Sequence, residues 1–224
     1  MSLQWQSFDQ VDDLNEAAVA YILACARVAM TRQQRFRLVM AGGRSPAVVY
    51  RMLRDAEVDW SCWHIYFSDE RCVAFNDPRS NSRMARDCLL DHVPIPHAQI
   101  HVIPTGLGVD DAAVSYGALV QKHTPFDLVL LGVGEDGHTA SLFPGQAINL
   151  DAWAIAVHSA PKPPASRVSL SVRALRATAD VLVMASGEDK RDALESWRRG
   201  DPLPIQTVTS GLQGAVMTAL PTRR

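Results

Sequence analysis

Two carboxylates and an imidazole follow an apolar run in the middle of the chain. Leu128–Leu131 is apolar throughout, and the glycine-rich turn after it carries Glu135, Asp136 and His138. Imidazole exchanges protons near neutral pH, and a carboxylate two residues away can orient the ring. A purely structural turn would need the glycines but no histidine. The segment 126–145 is therefore predicted to be an active-site loop, with His138 as its general acid or base.

The glycines of this turn also permit two other interpretations. Residues 132–137 have the GxGxxG spacing of a dinucleotide-binding turn after a strand. This interpretation is disfavoured, because the acidic side chains and His138 would crowd the position of a pyrophosphate. A metal site is also disfavoured, because no second histidine stands at ligand spacing in the turn. We therefore expect neither a metal nor a cofactor.

A second polar cluster, Gly42-Gly43-Arg44-Ser45, follows an apolar run and precedes Pro46. Glycine lets a ligand approach the backbone closely, and a helix that begins here presents free N–H groups and a favourable dipole. These features fit a phosphate-binding turn, but they fit an ordinary strand–turn–helix connection with a serine cap equally well. The GK[ST] ending of a P-loop is missing.

A third cluster, Ser68-Asp69-Glu70-Arg71, places two acids and a guanidinium after another apolar run. An exposed turn without a function would show the same residues. Cys72 follows directly, but no oxyanion-type loop surrounds it. A free thiol without a catalytic role is therefore favoured over a nucleophile.

Apolar periodicity predicts strands that alternate with helices. The predicted helices are Asp13–Met30, Ser45–Arg54, Asn81–Leu90, Asp110–Lys122 and Glu188–Arg198. The predicted strands are Phe36–Ala41, Ile65–Phe67, Ile100–Ile103, Leu128–Val133, Ala154–Val157, Val168–Leu170 and Val181–Ala185. This alternation is typical of an α/β fold with a mostly parallel sheet flanked by helices, and such sheets bind ligands beyond the carboxyl ends of their strands. All three polar clusters are predicted at those ends.

Composition narrows the class of protein further. The chain has 224 residues, of which 47% are hydrophobic and 21% charged, and its formal net charge is -2. One domain over residues 1–224 is expected, with no general affinity for nucleic acid or an anionic membrane. We expect no membrane span and no signal peptide, because no apolar stretch has the required length and the first residues lack the pattern. The four cysteines are scattered, which predicts a reduced, cytoplasmic protein.

Four motifs, in this order, resemble the 6-phosphogluconolactonase family: GGRSP at 42–46, FSDERCV at 67–73, DPRSN at 77–81 and LGVGEDGHTASLFPG at 131–145. That family shares a superfamily with glucosamine-6-phosphate isomerase/deaminase. The resemblance covers most of the chain and implies a modified Rossmann-like fold of the NagB/RpiA type. It also implies hydrolysis of 6-phospho-D-glucono-1,5-lactone, the second step of the oxidative pentose phosphate pathway, without a metal or cofactor. The partner would be this small phosphorylated lactone, and the oligomeric state stays open between monomer and homodimer.

The resemblance also implies roles for individual residues. His138 and Asp136 fall on the catalytic DGHT motif, and Asp69 and Arg71 fall on the acid and the base of the DER motif. His138 would deprotonate the attacking water, and either Arg71 or backbone N–H groups of the turn from Gly134 to Gly137 would stabilise the carbonyl oxygen. The implied ligands of the 6-phosphate group are Gly42, Gly43, Ser45, Arg167 and Lys190.

Two rival functions stay open on the sequence. The sister isomerase typically has Asp-Glu-Tyr in place of the DER motif and Asn-Glu-Pro after the DGH turn. This chain has Arg71 and Leu142-Phe143-Pro144 there, which favours the lactonase. A non-catalytic sugar-phosphate sensor would be expected to lack the histidine or the acids, and this chain has both. The role of Arg44 and the breadth of phosphorylated lactones accepted also stay open.

Overall fold

The computed structural model describes residues 2–146 and 151–221 of the chain. Its strands are β1 (Leu3–Ser7), β2 (Phe36–Met40), β3 (Trp63–Phe67), β4 (Asp69–Arg71), β5 (Leu128–Gly132), β6 (Ala154–Val157), β7 (Arg167–Leu170), β8 (Val181–Ser186) and β9 (Gly214–Ala219). Its α-helices are α1 (Val11–Gln33), α2 (Arg44–Leu53), α3 (Asn81–Ala85), α4 (Val109–His123), α5 (Val172–Arg176), α6 (Arg191–Arg199) and α7 (Pro204–Thr209). Short 3-10 turns lie at Trp60–Cys62, His97–Gln99, Thr105–Leu107 and Glu188–Lys190.

The larger sheet accounts for the most apolar runs of the sequence. Its strands lie in the order β1-β9-β8-β5-β2-β3, and every neighbouring pair is parallel. All four residues of Leu128–Leu131 in β5 are fully buried. A central strand of a parallel sheet is covered on both faces, so its sequence is apolar throughout and does not alternate. The predicted α/β fold with a parallel sheet is confirmed.

Helix α1 packs on this sheet, with contacts to β2, β8 and β9 and to α2. Leu14, Ala18 and Ile22 on its inner face are fully buried. By length and mean hydropathy α1 is apolar enough to cross a membrane, so the prediction that no stretch reaches that length is wrong. Its buried face explains this composition, since a helix that covers a sheet needs an apolar stripe.

The next strand after β3 in the chain, β4, belongs to a smaller antiparallel sheet. The strands of this sheet lie in the order β4-β7-β6. The predicted strands at 154–157 and 168–170 form β6 and most of β7, but they lie in this sheet and not in the parallel one. Periodicity in one segment does not report which strand will pair with it, because pairing depends on residues distant in sequence.

The DER cluster is itself part of the smaller sheet. Asp69–Arg71 is strand β4, where the sequence suggested a polar cluster at a strand end. In its register with β7, Asp69 lies opposite Ser169 and Arg71 lies opposite Arg167. The pairing brings together two guanidinium groups that are almost a hundred residues apart in sequence.

Two predicted elements differ from the structure, and four more strands and α-helices besides β4 were not predicted. Ile100–Ile103 is not a strand; it makes one bridge to Ile65, and Pro104 cannot continue a ladder of hydrogen bonds. The predicted helix Asn81–Leu90 is α-helical only through α3 and continues as a π-helical turn. Strands β1 and β9 and the short helices α5 and α7 were not predicted. β1 and β9 pair across nearly the whole length of the chain, which local periodicity cannot report.

Candidate active site

A cavity of about 200 Å³, called the main cavity below, opens where β2 and β5 end. This is the edge at which parallel sheets bind ligands. The main cavity is lined by the β2–α2 turn, the turn after β5, side chains of β4 and β7, and a lysine before α6. Eight of the predicted site residues line it: Gly42, Gly43, Asp69, Arg71, Gly134, His138, Arg167 and Lys190.

The turn after β5 holds His138 against a carboxylate. His138 Nδ1 lies 2.5 Å from Asp136 Oδ1, and the same oxygen accepts a hydrogen bond of 3.1 Å from the His138 backbone N–H. The ring also packs on Phe143, with 4.8 Å between the ring centroids. Asp136 occupies Nδ1, so Nε2 is the nitrogen that can exchange a proton with a ligand. Asp136 does not line the main cavity, and it contacts the imidazole on its Nδ1 side.

Two opposing effects act on the Asp136 carboxyl. Burial alone would raise its pKa, because burial disfavours the charged form. Hydrogen bonds from the His138 backbone and ring, together with the charge of the ring, outweigh burial and lower the pKa of Asp136 overall. Asp136 is therefore a carboxylate at neutral pH and can stabilise a protonated His138.

Two glycines allow this turn to close. A Cβ atom on Gly134 would overlap His138 Nδ1, so any larger residue would displace the imidazole. Gly137 has φ of +79°, and a Cβ there would approach Leu203 to 2.7 Å. Gly137 therefore has a conformational role in the turn and does not line the main cavity, whereas Gly134 does line it.

Asp69 and Glu70 are adjacent carboxylates with different surroundings. Asp69 lines the main cavity, and its Oδ2 accepts a hydrogen bond of 2.6 Å from Ser141 Oγ. Its Oδ1 accepts one of 3.0 Å from the amide of Asn81. The next carboxylate, Glu70, is turned away and buried at the start of α3, where it accepts from the backbone N–H groups of Asn81 and Ser82 at 2.8 and 2.7 Å. Glu70 therefore has a structural role, whereas Asp69 is available to the site.

Arg71 and Arg167 supply positive charge from adjacent strands. Arg71 Nη1 donates to the Arg79 carbonyl at 2.6 Å. Arg167 donates to the carbonyls of Pro164 and Lys162 at 3.0 and 2.7 Å. Burial lowers the pKa of Arg167, and the nearby charges of Asp69 and Arg71 oppose each other there. Guanidinium pKa values are so high that Arg167 stays charged despite this lowering.

Another part of the lining of the main cavity consists of glycine backbone and a lysine. Gly42 and Gly43 line it from the start of α2, where Gly43 has φ of +117°, a conformation that favours glycine. The Lys190 ammonium group reaches the same space and lies 2.9 Å from Asp189 Oδ2. Ser45 does not line the main cavity, and its hydroxyl lies 2.8 Å from that of Ser186.

A second cavity, of about 350 Å³, adjoins the first. The two share Arg71, His138 and Arg167 as a common wall. Across the mouth of the second cavity, Lys162 Nζ lies 2.6 Å from Glu135 Oε1. Both side chains are at least half exposed, so this ion pair contributes little to stability.

Sequence reasoning did not identify the side chains that hold Asp69. Asn81 and Ser141 contact it, and Ser169 Oγ accepts a hydrogen bond of 3.1 Å from the Ser141 backbone N–H. Asn81 and Ser141 lie inside the DPRSN and GHTAS motifs, so the signal was present in the sequence. Those motifs do not say which polar side chain would face a buried carboxylate.

Within residues 2–146 and 151–221, no group of three or more His, Cys, Asp or Glu side chains is arranged to hold a metal ion. The main cavity instead combines a histidine, held from outside the cavity by an aspartate, with two arginines, a lysine and glycine backbone. Such a site suits an anionic ligand on which an acid–base reaction takes place. The fold and the site thus define an α/β protein with an acid–base site for an anionic ligand.

Comparison with known proteins agrees with this class. A sequence model described as "Glucosamine-6-phosphate isomerases/6-phosphogluconolactonase" matches residues 9–217. A 6-phosphogluconolactonase from Mycobacterium leprae is 33% identical, over 90% of this chain and 88% of that protein. One from Streptomyces coelicolor is 34% identical, over 91% and 85%. The crystal structure of a Thermotoga maritima 6-phosphogluconolactonase superposes with a TM-score of 0.91 at 27% identity, over 97% of this chain and 100% of that one. The chain belongs to the glucosamine-6-phosphate isomerase/6-phosphogluconolactonase family.

Proposed function

We propose that this chain hydrolyses 6-phospho-D-glucono-1,5-lactone to 6-phospho-D-gluconate. The observation that carries the proposal is that His138, whose Nδ1 lies 2.5 Å from Asp136, lines one cavity with Arg71, Arg167 and Lys190. The relatives reported above, which are named 6-phosphogluconolactonases, support the same substrate class. Arg71 and Leu142-Phe143-Pro144, in place of the motifs typical of the sister isomerase, favour the lactonase.

His138 is the general base of the first step. Its Nε2 removes a proton from water while the water oxygen forms a bond to C1 of the lactone. Asp136, held at Nδ1, fixes the orientation of the ring and stabilises the imidazolium that results. The turn glycines keep this pair in place, since a side chain at Gly134 would displace the imidazole.

The second step opens the ring. The tetrahedral intermediate carries its negative charge on the former carbonyl oxygen, where Arg71 or backbone N–H groups between Gly134 and Gly137 stabilise it. When the bond from C1 to the ring oxygen breaks, protonated His138 returns its proton to that oxygen. Asp69 lines the cavity together with Arg71 and Arg167, and its carboxyl oxygens can accept hydrogen bonds from substrate hydroxyls.

The 6-phosphate group binds at the opposite end of the cavity. Gly42 and Gly43 present backbone at the start of α2, and Lys190 supplies a compensating charge. Arg167 adds a guanidinium from β7. The Ser45 hydroxyl joins the phosphate ligands by leaving its contact with Ser186. Phosphate binding at this end sets the distance between C1 and His138.

We also infer that the protein acts on its small-molecule substrate in the cytoplasm, without nucleic acid or a membrane as a partner. Cys25, Cys62, Cys72 and Cys88 are all free thiols, which fits a reducing compartment. The near-neutral balance of charge, with a formal net charge of -2, fits a small-molecule enzyme.

The decisive experiment measures how fast 6-phosphogluconolactone, generated in place, disappears above its spontaneous hydrolysis when purified protein and EDTA are present. Acceleration that survives EDTA supports a metal-independent lactonase. Glucosamine 6-phosphate is tested in parallel for release of ammonia. Ammonia release without lactone hydrolysis would assign the sister activity, and binding of phosphosugar without either reaction would assign a sensor.

A further inference from the structure

Asn81 has a buried amide between Gly42 and Asp69, two residues that line the main cavity. It is the first residue of α3 and is only 2% exposed. Its Nδ2 donates to the Asp69 backbone carbonyl at 2.9 Å and to the Asp69 carboxylate at 3.0 Å. The side chain therefore holds both the backbone and the charged group of a cavity residue.

The same amide lies directly under the phosphate-binding turn. A Cβ atom on Gly42 would overlap the carboxamide of Asn81. The Asn81 side chain thus fills the space next to Gly42 and fixes the position of the Gly42 backbone. Asn81 therefore contacts both Gly42, in the proposed phosphate-binding turn, and Asp69.

Asp69 extends this connection to the histidine end. Its other carboxylate oxygen accepts from Ser141 Oγ at 2.6 Å, and Ser141 is three residues after His138. A continuous set of contacts therefore runs from Gly42 through Asn81 and Asp69 to the catalytic turn. Each oxygen of the Asp69 carboxyl group has its own donor in this set, so the orientation of the group is held from both sides.

The backbone of Asn81 is anchored separately from its side chain. Its N–H group donates to Glu70 Oε1 at 2.8 Å, and Ser80 Oγ caps the helix at the Arg83 N–H. A change of the Asn81 side chain therefore leaves the start of α3 held in place. This allows the role of the amide to be tested without removing the helix.

We propose that Asn81 is a positioning residue for the reaction: its amide orients the Asp69 carboxyl group, and its contact with Gly42 sets the spacing between the phosphate site and His138. This inference rests on the proposed lactonase function. Misplacement of reacting groups by about 1 Å costs on the order of 10²-fold in rate. A residue that touches no reacting atom can therefore have a large kinetic effect.

The test compares Asn81→Asp and Asn81→Ala with Asn15→Asp and Asn15→Ala. Asn15 is also 2% exposed but lies in α1, outside both cavities. Thermal unfolding of all four variants reports any shared effect of changing a buried asparagine. Steady-state lactone hydrolysis is then measured from about pH 5 to 8.

Asn81→Asp places a second carboxyl at hydrogen-bond distance from Asp69, so one carboxyl of the pair stays protonated to higher pH. We expect kcat to fall ~10–100-fold, in line with the cost of misplacement. Because this pair adds a carboxyl that takes up a proton as pH falls, kcat of Asn81→Asp should decline more steeply below about pH 6 than kcat of the wild-type protein. The Asn15 variants should keep the wild-type dependence of kcat on pH, whatever their Tm. A wild-type pH profile and kcat in folded Asn81→Asp would overturn the inference.

Binding of 6-phosphogluconate, measured by calorimetry, separates this inference from the proposed function. Asn81→Ala should bind it about tenfold more weakly than Asn15→Ala, because the phosphate turn loses its support. If the wild-type protein binds 6-phosphogluconate but hydrolyses no lactone, the proposed function fails and this affinity difference alone decides the role of Asn81. Equal affinities in the two alanine variants would refute its role in spacing, and absence of both lactone hydrolysis and 6-phosphogluconate binding in the wild-type protein would refute both proposals.

Discussion

His138 and His101 are two imidazoles in opposite surroundings. His138 has its Nδ1 2.5 Å from the Asp136 carboxylate and lines the main cavity. His101 instead stacks on Tyr66 and His123, with centroids 4.5 and 5.2 Å apart. Burial, followed by the charges of His123 and His64, lowers the pKa of His101 to about 4. An imidazole next to a carboxylate and open to a ligand can exchange protons during a reaction, whereas one among other imidazoles stays neutral and serves packing.

The largest expected effect separates these two histidines. His138→Ala should lower kcat by ~10²–10⁴-fold, because it removes the general base. His101→Ala, the same change at the stacked ring, should leave kcat of the folded protein within about threefold. Rates are measured on lactone with circular dichroism as a check of folding. Near-normal turnover in His138→Ala, or a comparable loss in folded His101→Ala, would contradict the comparison.

A smaller effect is expected when the carboxylate partner of His138 is neutralised. Asp136→Asn keeps the shape of the side chain but removes the charge that stabilises the imidazolium, so kcat should fall on the order of 10²-fold with little change in KM. Glu135→Gln is the matched control in the same turn, because Glu135 pairs with Lys162 at the surface. That control should change kcat by less than about threefold. Equal losses in both variants would show that general charge, and not contact with the ring, matters.

The smallest expected effect concerns stability at acidic pH. The pKa of His101 is about 4 when folded and 6.5 for an ordinary histidine, so the unfolded chain takes up a proton first as pH falls. The stabilising contribution of neutral His101 is therefore complete above pH ~6.5 and is lost as pH falls towards 4. Because the ring is only half buried, solvent screening limits the loss to about 1 kcal/mol, or ~2–4 °C in Tm.

Thermal unfolding of the wild-type protein and of His101→Phe, between pH 7 and 4, measures this contribution. Phenylalanine keeps an aromatic ring on Tyr66 but does not titrate, so the decline in Tm should be shallower in the variant. Parallel Tm curves for the two proteins would show that the imidazole stack has no part in the acid sensitivity.

The sequence predicted the parts of the site that depend on local patterns. The turn with Asp136 and His138 was identifiable because carboxylate, imidazole and glycines are adjacent there. Four strands of the parallel sheet were predicted from their apolar runs, and their order places the polar clusters at one edge. What could not be predicted was pairing: the strands at 154–157 and 168–170 have ordinary apolar patterns, yet they join β4 in a separate antiparallel sheet.

The sequence by itself determined which residue types could perform acid–base chemistry and bind an anion, because a motif brings its members together by chain connectivity alone. Only the tertiary structure decided which of two adjacent acids faces the cavity: Asp69 lies towards it, and Glu70 is buried at the start of α3. It also decided that Asn81 joins Asp69 to Gly42. Adjacent residues on a strand point to opposite faces, and contacts between distant segments form only when the sheets pack, so neither choice is encoded in local sequence.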